Sequence, residues 1–524
     1  MKRFPLLLAA LLIGCPSEEP GAWEPPPGWA AGEPVECAAP HEGWRDRFEY
    51  AGDALGLTTP VSTLDPNQGS VSADDLDGDG DVDLLYTTGP DAVFTVFLND
   101  GGTFVQAQFL GATDPPFGAL ALADRTGDGL PEAWLANAGG LFVFLNEGGT
   151  FGPPQQILEQ PWDDWYRVQT FSVGDADGDG DLDVAFLQAE NVDDLPEPGE
   201  PPPTEFNGTP DRLLLLDGND VEREIPLASD EGTLVLVGTF TDRDNDGDRD
   251  LLVPSDRDLP TNFWRNDGGT FTDDAASISA DLRVEGMGID TADLNEDGRL
   301  DYCITDTGPP VCIVATDNGY VEEGIARGLE PSIPGLANAT VGWSIDILDF
   351  DDDGWVDVMQ AAGPEGGSQE DYADLMWAGA PGNTFTDITI DTPFGDPRAH
   401  YGASSADLDG DGSLDWISVG HGEPPRVFTN RCSAGAWLRV RLDGLAANRQ
   451  GFGARAEVRF GDRLLVQELQ GLRGQGQRPS WFRFGLGDVE TADSVTITWP
   501  DGAVSEATDV PLRRTVTVTH PDKL

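Results

Sequence analysis

Short apolar runs alternate with turns along most of this chain, and the runs are too brief for helices. Asp83-Leu-Leu-Tyr-Thr87 and Asp250-Leu-Leu-Val253 read as strands. Runs rich in small residues also recur: Gln68 to Ala73, Phe117 to Ala123, Gly286 to Ala292 and Tyr401 to Ala406. Small side chains suit an innermost strand, where sheets crowd around a central channel. A third strand ends in an Asn-Asp-Gly-Gly type of turn and a fourth opens on Thr-Phe, as in FLNDGGTF at 97–104, FLNEGGTF at 144–151 and WRNDGGTF at 264–271. Such turns are strong hairpin signals. The pattern predicts four strands per unit.

Between the first and second strand of each unit lies a nine-residue acidic loop of the form D-x-[DNT]-x-D-G-x-x-[DE]. It occurs seven times, and its first residues are 49, 51, 67, 51, 56 and 58 positions apart. A period near 50 residues is that of a propeller or solenoid. Oxygens at positions 1, 3 and 5, the carbonyl of position 7 and the carboxylate at position 9 converge on one point, and glycine at position 6 allows the sharp turn. This is the all-oxygen shell a hard cation such as Ca²⁺ prefers.

The first loop supplies Asp75, Asp77, Asp79, Asp81 and Asp83, and the second Asp124, Thr126, Asp128, Leu130 and Glu132. The third supplies Asp175, Asp177, Asp179, Asp181 and Asp183, and the fourth Asp242, Asp244, Asp246, Asp248 and Asp250. The fifth supplies Asp293, Asn295, Asp297, Arg299 and Asp301, and the sixth Asp349, Asp351, Asp353, Trp355 and Asp357. The seventh supplies Asp407, Asp409, Asp411, Ser413 and Asp415. An EF-hand needs glutamate at position 12. Here that position holds Tyr86, Leu135, Phe186, Val253, Ile304, Gln360 and Ser418, so that motif is excluded. Unit charges near 4 Å repel by about 4 kcal/mol at an effective dielectric of 20. Solvated acidic turns without a cation would spring open, and about seven Ca²⁺ sites are expected.

The sequence therefore predicts an all-β chain: a seven-bladed β-propeller over 37–432, then a small β-sandwich or barrel over 433–524. The long third interval fits a surface insertion at 191–210. The seventh blade lacks an outer strand of its own, and Arg47-Phe-Glu-Tyr-Ala51 is expected to close the ring beside 426–430. Closure would bring Cys37 near Cys432, while Cys303 and Cys312 flank a hairpin turn. Both pairs are expected as disulfides, with free buried thiols the alternative for a cytosolic chain.

Charge narrows the partners. With 30 basic and 95 acidic residues the formal net charge is −65, so binding of nucleic acid or an anionic bilayer through the propeller is disfavoured. From Ser433 onward there are 12 basic and 11 acidic side chains, a charge step that marks the second domain. Lys2 and Arg3 precede an apolar stretch, Phe4 to Ile13, too short to be a stable membrane anchor. Residues 1–14 read as a signal peptide. Leu12-Ile13-Gly14-Cys15 resembles a bacterial lipobox with Cys15 as the lipidated residue; a cleaved secretory signal is the alternative. Residues 15–36, rich in Pro and Glu, read as an extended tether. The expectation is an exported protein on a bacterial outer membrane or cell surface, touching the membrane only through its lipid.

The acidic repeats resemble FG-GAP/VCBS units of integrin-α-like propellers. The tail resembles the ASPIC/UnbV domain through Asn448 with Gly451-Phe-Gly-Ala-Arg455, Phe484-Gly-Leu-Gly487 and Trp499-Pro-Asp-Gly502. In that order the two sets are similar to the cartilage acidic protein family. Gly474-Gln-Gly-Gln477 departs from the Gly-Tyr-Ser type of sequence usual there. The resemblance implies an extracytoplasmic calcium-binding module linked to adhesion, without established catalysis.

No nucleophile elbow, phosphate loop or zinc-spaced His/Cys cluster is present. His400 and His421 bracket the first two strands of the seventh blade, and Tyr166, Arg167, Glu285 and Trp343 fall at comparable strand starts. These six residues are candidates for a ligand rim at the channel mouth away from the acidic loops, or form an ordinary polar rim. Two functions compete: a recognition or adhesion module with structural Ca²⁺ and a protein or polysaccharide partner, and a hydrolase or lyase acting on a glycan or phosphoester around His400 and His421. The first is expected, with no enzymatic activity.

Overall fold

The computed structural model describes residues 23–61, 70–88, 93–110, 119–137, 139–159, 166–190, 211–218, 220–227, 235–256, 259–332, 340–363, 373–395, 398–420 and 422–524. Cys15, the insertion at 191–210 and His421 lie outside them.

Seven four-stranded antiparallel sheets follow the repeats. Blade 1 runs Val71–Asp74, Asp83–Thr88, Val93–Asn99 and Phe104–Leu110, each strand pairing with the next. Blades 2 to 6 repeat this order and begin at Ala119, Tyr166, Thr239, Ile289 and Val341. Blade 7 combines His400–Ala406, Asp415–Gly420 and Arg426–Asn430 with the early strand Phe48–Tyr50, in register Phe48↔Asn430 and Tyr50↔Phe428. First and last segments of the ring are thus sewn into one sheet. Cys37 and Cys432 are bonded beside this seam (Cα–Cα 5.7 Å), and Cys303 and Cys312 face each other across blade 5 (4.0 Å).

Among the described residues, an apolar core lies between each pair of successive blades. Leu76, Val96 and Leu122 join blades 1 and 2, and Phe171 and Trp134 join 2 and 3. Further cores join blade 3 to 4 through Leu187 and Leu251, and 4 to 5 through Leu252 and Tyr302. Val314 with Trp377 and Met359 with Trp416 continue the series, and Val71 with Val427 closes it from blade 7 to blade 1. Among the described residues, seven such interfaces join seven sheets into a closed ring, so each blade face is covered by its neighbour and the sheet edges lie at the innermost and outermost strands.

The C-terminal segment forms two four-stranded sheets packed face to face. One orders Trp29–Ala31, Arg514–Thr519, Ala436–Asp443 and Trp481–Gly487; the other orders Arg463–Glu468, Arg455–Phe460, Thr491–Thr498 and Val504–Pro511. Val440, Phe482, Val495 and Ile497 belong to the buried core. The tether expected over 15–36 is corrected in its described part. Trp29–Ala31 is an edge strand of this domain, and the Trp23 indole N–H donates to the Thr508 carbonyl (3.0 Å). Trp29 is buried, so apolar burial outweighs the extended preference of the surrounding prolines.

This domain sits as a cap over the acidic-loop end of the propeller. Arg439 reaches Asp407 (2.8 Å) and Arg441 reaches Asp75 (3.1 Å). A cap loop also enters the channel: Gly476–Gln477 pairs in parallel with Val71–Asp74, and Arg473 and Arg478 meet the buried Asp290 (2.9 and 3.1 Å). The Gln477 amide accepts from Leu122 N–H (2.7 Å) and donates to Leu122 O (2.8 Å). Gly476 is required there, because a Cβ would lie 1.7 Å from Ala403 O. The Gly474 to Gln477 departure is therefore the channel plug.

Candidate metal centres

Each acidic loop leaves the innermost strand of its blade and returns as the second. Carboxylate oxygens of Asp75, Asp77 and Asp83 lie within 4.8 Å of one another, as do those of Asp124, Asp128 and Glu132 and of Asp175, Asp177 and Asp183. In loop 4 the group is Asp242, Asp244 and Asp246, while Asp250 is approached by Arg243 (3.5 Å).

Position 9 has a second role that its spacing alone does not reveal. Asp83 accepts from Leu76 N–H (2.7 Å) within its loop and from Asn99 N–H (2.7 Å) on the third strand. The same two bonds recur at Asp183, Asp250, Asp301, Asp357 and Asp415. Position 1 accepts from amides of its own turn, as Asp124 does from Gly127 and Gly129 (both 2.7 Å). Position 7 uses its side chain as well where it is aspartate: Asp81 accepts from Gly101 N–H (2.7 Å) in the hairpin turn.

Loss of hydration raises these acids, and like charges in the same loop add to it against the amide bonds. Burial pushes Asp83, Asp301 and Glu132 up to about 7, and Asp183 and Asp250 up to about 8. Asp357 and Asp415 are raised well above the carboxylate range for the same reason. Asp351 Oδ1 and Asp407 Oδ1 are buried and meet no hydrogen-bond donor among the described residues. Buried carboxylates crowded together, some with an orphaned oxygen, fit a hard divalent cation. Loop 5 differs: Arg299 donates to the position-5 carboxylate of Asp297 (2.5 Å), which is held below the usual range, chiefly by that bond against the cost of burial.

The turn asparagines, which the sequence marks only as turn formers, also tie blades together. Asn99 donates to Val82 O (3.0 Å) beside its own loop and to Leu408 O (3.0 Å) in the loop of blade 7. Asn146, Asn266 and Asn430 repeat this on the loops of the preceding blades. Their recurrence 14 to 16 residues after position 9 in four of the seven loops was the available signal.

Of the six rim candidates, the described side chains are those of His400, Trp343 and Glu285, and each is engaged separately. His400 is buried at the interface of blades 6 and 7, where its Nδ1 meets Asp374 (3.0 Å), and Ser418 donates to the same carboxylate (2.9 Å). Although burial opposes it, His400 together with these bonds holds Asp374 below the usual range. Trp343 is buried against Tyr401 with its N–H on Gly363 O (3.3 Å). Glu285 is bonded to Thr307 on its own blade. Tyr166 and Arg167 open blade 3, with side chains outside the described residues, as is His421. The Asp374 carboxylate holds His400 and packing on Tyr401 holds Trp343, both buried between blades.

Fold and loops together define a closed propeller of acid-loop repeats capped by a β-sandwich. Residues 75–135, 124–186 and 242–304 match the FG-GAP-like repeat, and residues 444–524 match the ASPIC and UnbV domain. The chain carries both, and with two disulfides they mark an extracellular propeller-type module. No curated protein matches the chain. Similar solved structures include an Agrocybe aegerita lectin specific for non-reducing terminal N-acetylglucosamine, 18% identical over 72% of this chain and 93% of that one, TM-score 0.40. BBS1N in complex with ARL6DN is 10% identical over 71% and 94%, TM-score 0.44. The exotype rhamnogalacturonan lyase YesX is 13% identical over 87% and 92%, TM-score 0.35.

Proposed function

We propose that this protein is a lipid-anchored, extracytoplasmic recognition or adhesion module whose blade loops hold structural Ca²⁺. One observation carries the reading: three mutually repelling carboxylates gather in the acidic loop of successive blades, and among the described residues Asp351 and Asp407 each keep a buried oxygen with no donor. Asp, Asn and Thr side chains with a position-7 carbonyl would hold each ion, which supplies charge compensation and no chemistry. Lipidation at Cys15 would place the protein on the outer membrane or cell surface. The partner is a protein or polysaccharide bound by the propeller, and no catalytic step is assigned, since His400 is committed to Asp374.

Thermal unfolding in CaCl2 and in EDTA tests this. Chelation should lower Tm by more than 10 °C, with Ca²⁺ restoring it and Mg²⁺ failing to. An identical Tm in both buffers would eliminate structural calcium. Globomycin-sensitive processing and acylation at Cys15, lost in Cys15→Ser, tests the anchor.

A further inference from the structure

Each acidic loop has an inward and an outward side. Carboxylates drawn from positions 1, 3, 5 and 9 gather in threes at the cation space, whereas position-4 groups and nearby carbonyls of loops 2, 5, 6 and 7 meet the cap. Four of the cap's arginines touch these outward groups. Arg463 donates to the position-4 carboxylate of Glu296 through Nε (3.1 Å) and Nη2 (2.6 Å). Arg483 donates to the position-4 carboxylate of Asp352 (2.8 Å) and to Gly412 O (3.1 Å). Asp352 also accepts from the Ser433 hydroxyl (2.8 Å), and its carbonyl accepts from Gly487 N–H (3.0 Å). Arg455 and Arg449 donate to the carbonyls of Gly298 and Gly127.

Arg439 and Arg441, which touch position-1 aspartates, each take Oδ2, and Asp407 Oδ1 meets no donor among the described residues. Arginine and cation can therefore share the loop face.

Position 4 is where the backbone turns left-handed. Gly78, Gly127, Gly178 and Gly410 occupy it with φ between 75° and 82°, as glycine does without penalty. Glu296 and Asp352 adopt the same conformation at φ 56° and 58°. An acidic side chain is unfavourable there unless it gains a contact, and in both loops that contact is a cap arginine. Such groups line up only while the loop is wound, and the loop stays wound only while its carboxylates are neutralised.

We propose that the acidic-loop face is a cation-conditioned docking surface for the chain's own C-terminal domain, with Glu296 and Asp352 as docking residues and not cation ligands. This rests on the calcium reading above. Loss of the ions releases the cap and withdraws the Gly474 to Gln477 plug from the channel, so occupancy of the loops decides whether that mouth is closed.

Hydrogen exchange on the full chain, with native mass spectrometry of the same samples, tests it. At a temperature where the blade strand Glu132–Asn137 stays protected in EDTA, chelation should accelerate exchange in residues 470–480 at least tenfold. In CaCl2 the double variant Glu296→Gln, Asp352→Asn should show the same acceleration with an unchanged number of bound ions. Asparagine keeps the left-handed backbone accessible at 352, and if the double variant does not fold, Glu296→Gln alone should give at least a threefold acceleration. Unchanged protection of 470–480 after demonstrated ion removal overturns the coupling while leaving structural calcium standing. Fewer ions bound by the variant would make these residues ligands and equally overturn the assignment. A wild-type chain that binds no calcium fails the earlier reading instead.

Discussion

An aspartate at position 9 answers to two demands at once. Asp83 satisfies the amides of Leu76 and Asn99, and it faces Asp75 and Asp77 across the cation space. Without an ion the first demand is met by a neutral acid as well as by an anion, and burial favours the neutral form. The sign of the pH dependence follows. Folded-state values of about 7 for Asp83 and Asp301 and about 8 for Asp183 and Asp250 lie above the unfolded value near 3.8. Folded metal-free protein therefore binds more protons than unfolded chain between roughly pH 4 and 8, and its stability falls as pH rises through that window. With Ca²⁺ saturating, the carboxylates ionise to bind the metal, and acid competes with it. Tm in EDTA should be higher at pH 5.5 than at pH 8.0, and in CaCl2 the order should invert. The same pH slope in both buffers would refute the assignment of these acids to a metal shell.

At the level of strands and turns, most of the propeller was legible. Apolar runs in Leu84, Leu85 and Leu251, Leu252 marked second strands, small residues marked first ones, and Phe48 supplied the missing strand of blade 7. Period and alternation carry such features, because each repeat faces the same neighbours. What stayed hidden depends on contacts between distant segments: Trp29 joining the cap, Gly476 entering the channel, and His400 turning inward to Asp374. Proline content pointed to a tether because composition does not register a single buried tryptophan. Among the acid-loop residues, position 4 carried no signal as a class, since it is glycine in four loops and becomes informative only where Arg463 and Arg483 arrive. The two disulfides separate local from global closure. Cys303 and Cys312 are 9 residues apart within one hairpin, while Cys37 and Cys432 are 395 apart across the ring seam. A chain-entropy model gives about 3 kcal/mol for the short loop and about 6 kcal/mol for the long one. Cys37→Ser, Cys432→Ser should accordingly lower Tm more than Cys303→Ser, Cys312→Ser, and equal shifts would mean that the ring does not depend on its seam.

Over the whole molecule, repulsion is the force that folding must contain. Seven divalent ions would cancel 14 of the 65 net negative charges, so even the loaded protein remains strongly anionic. The cap answers part of the remainder, placing Arg439, Arg441, Arg463 and Arg483 on the face where the acids are densest. Contacts of this kind are only partly exposed, and simple salt screens them less than it screens the open surface. The two sources of repulsion can therefore be separated by ionic strength. In EDTA the loop carboxylates add to the surface field, and raising NaCl from 20 to 300 mM shortens the Debye length from roughly 20 Å to about 6 Å. Tm should climb by several degrees under these conditions. In CaCl2 the loops are already neutralised, and the same change should move Tm by less than half as much. A larger salt response with calcium than without it would place the destabilising charge outside the loops, and the physical case for cations holding this ring together would be lost.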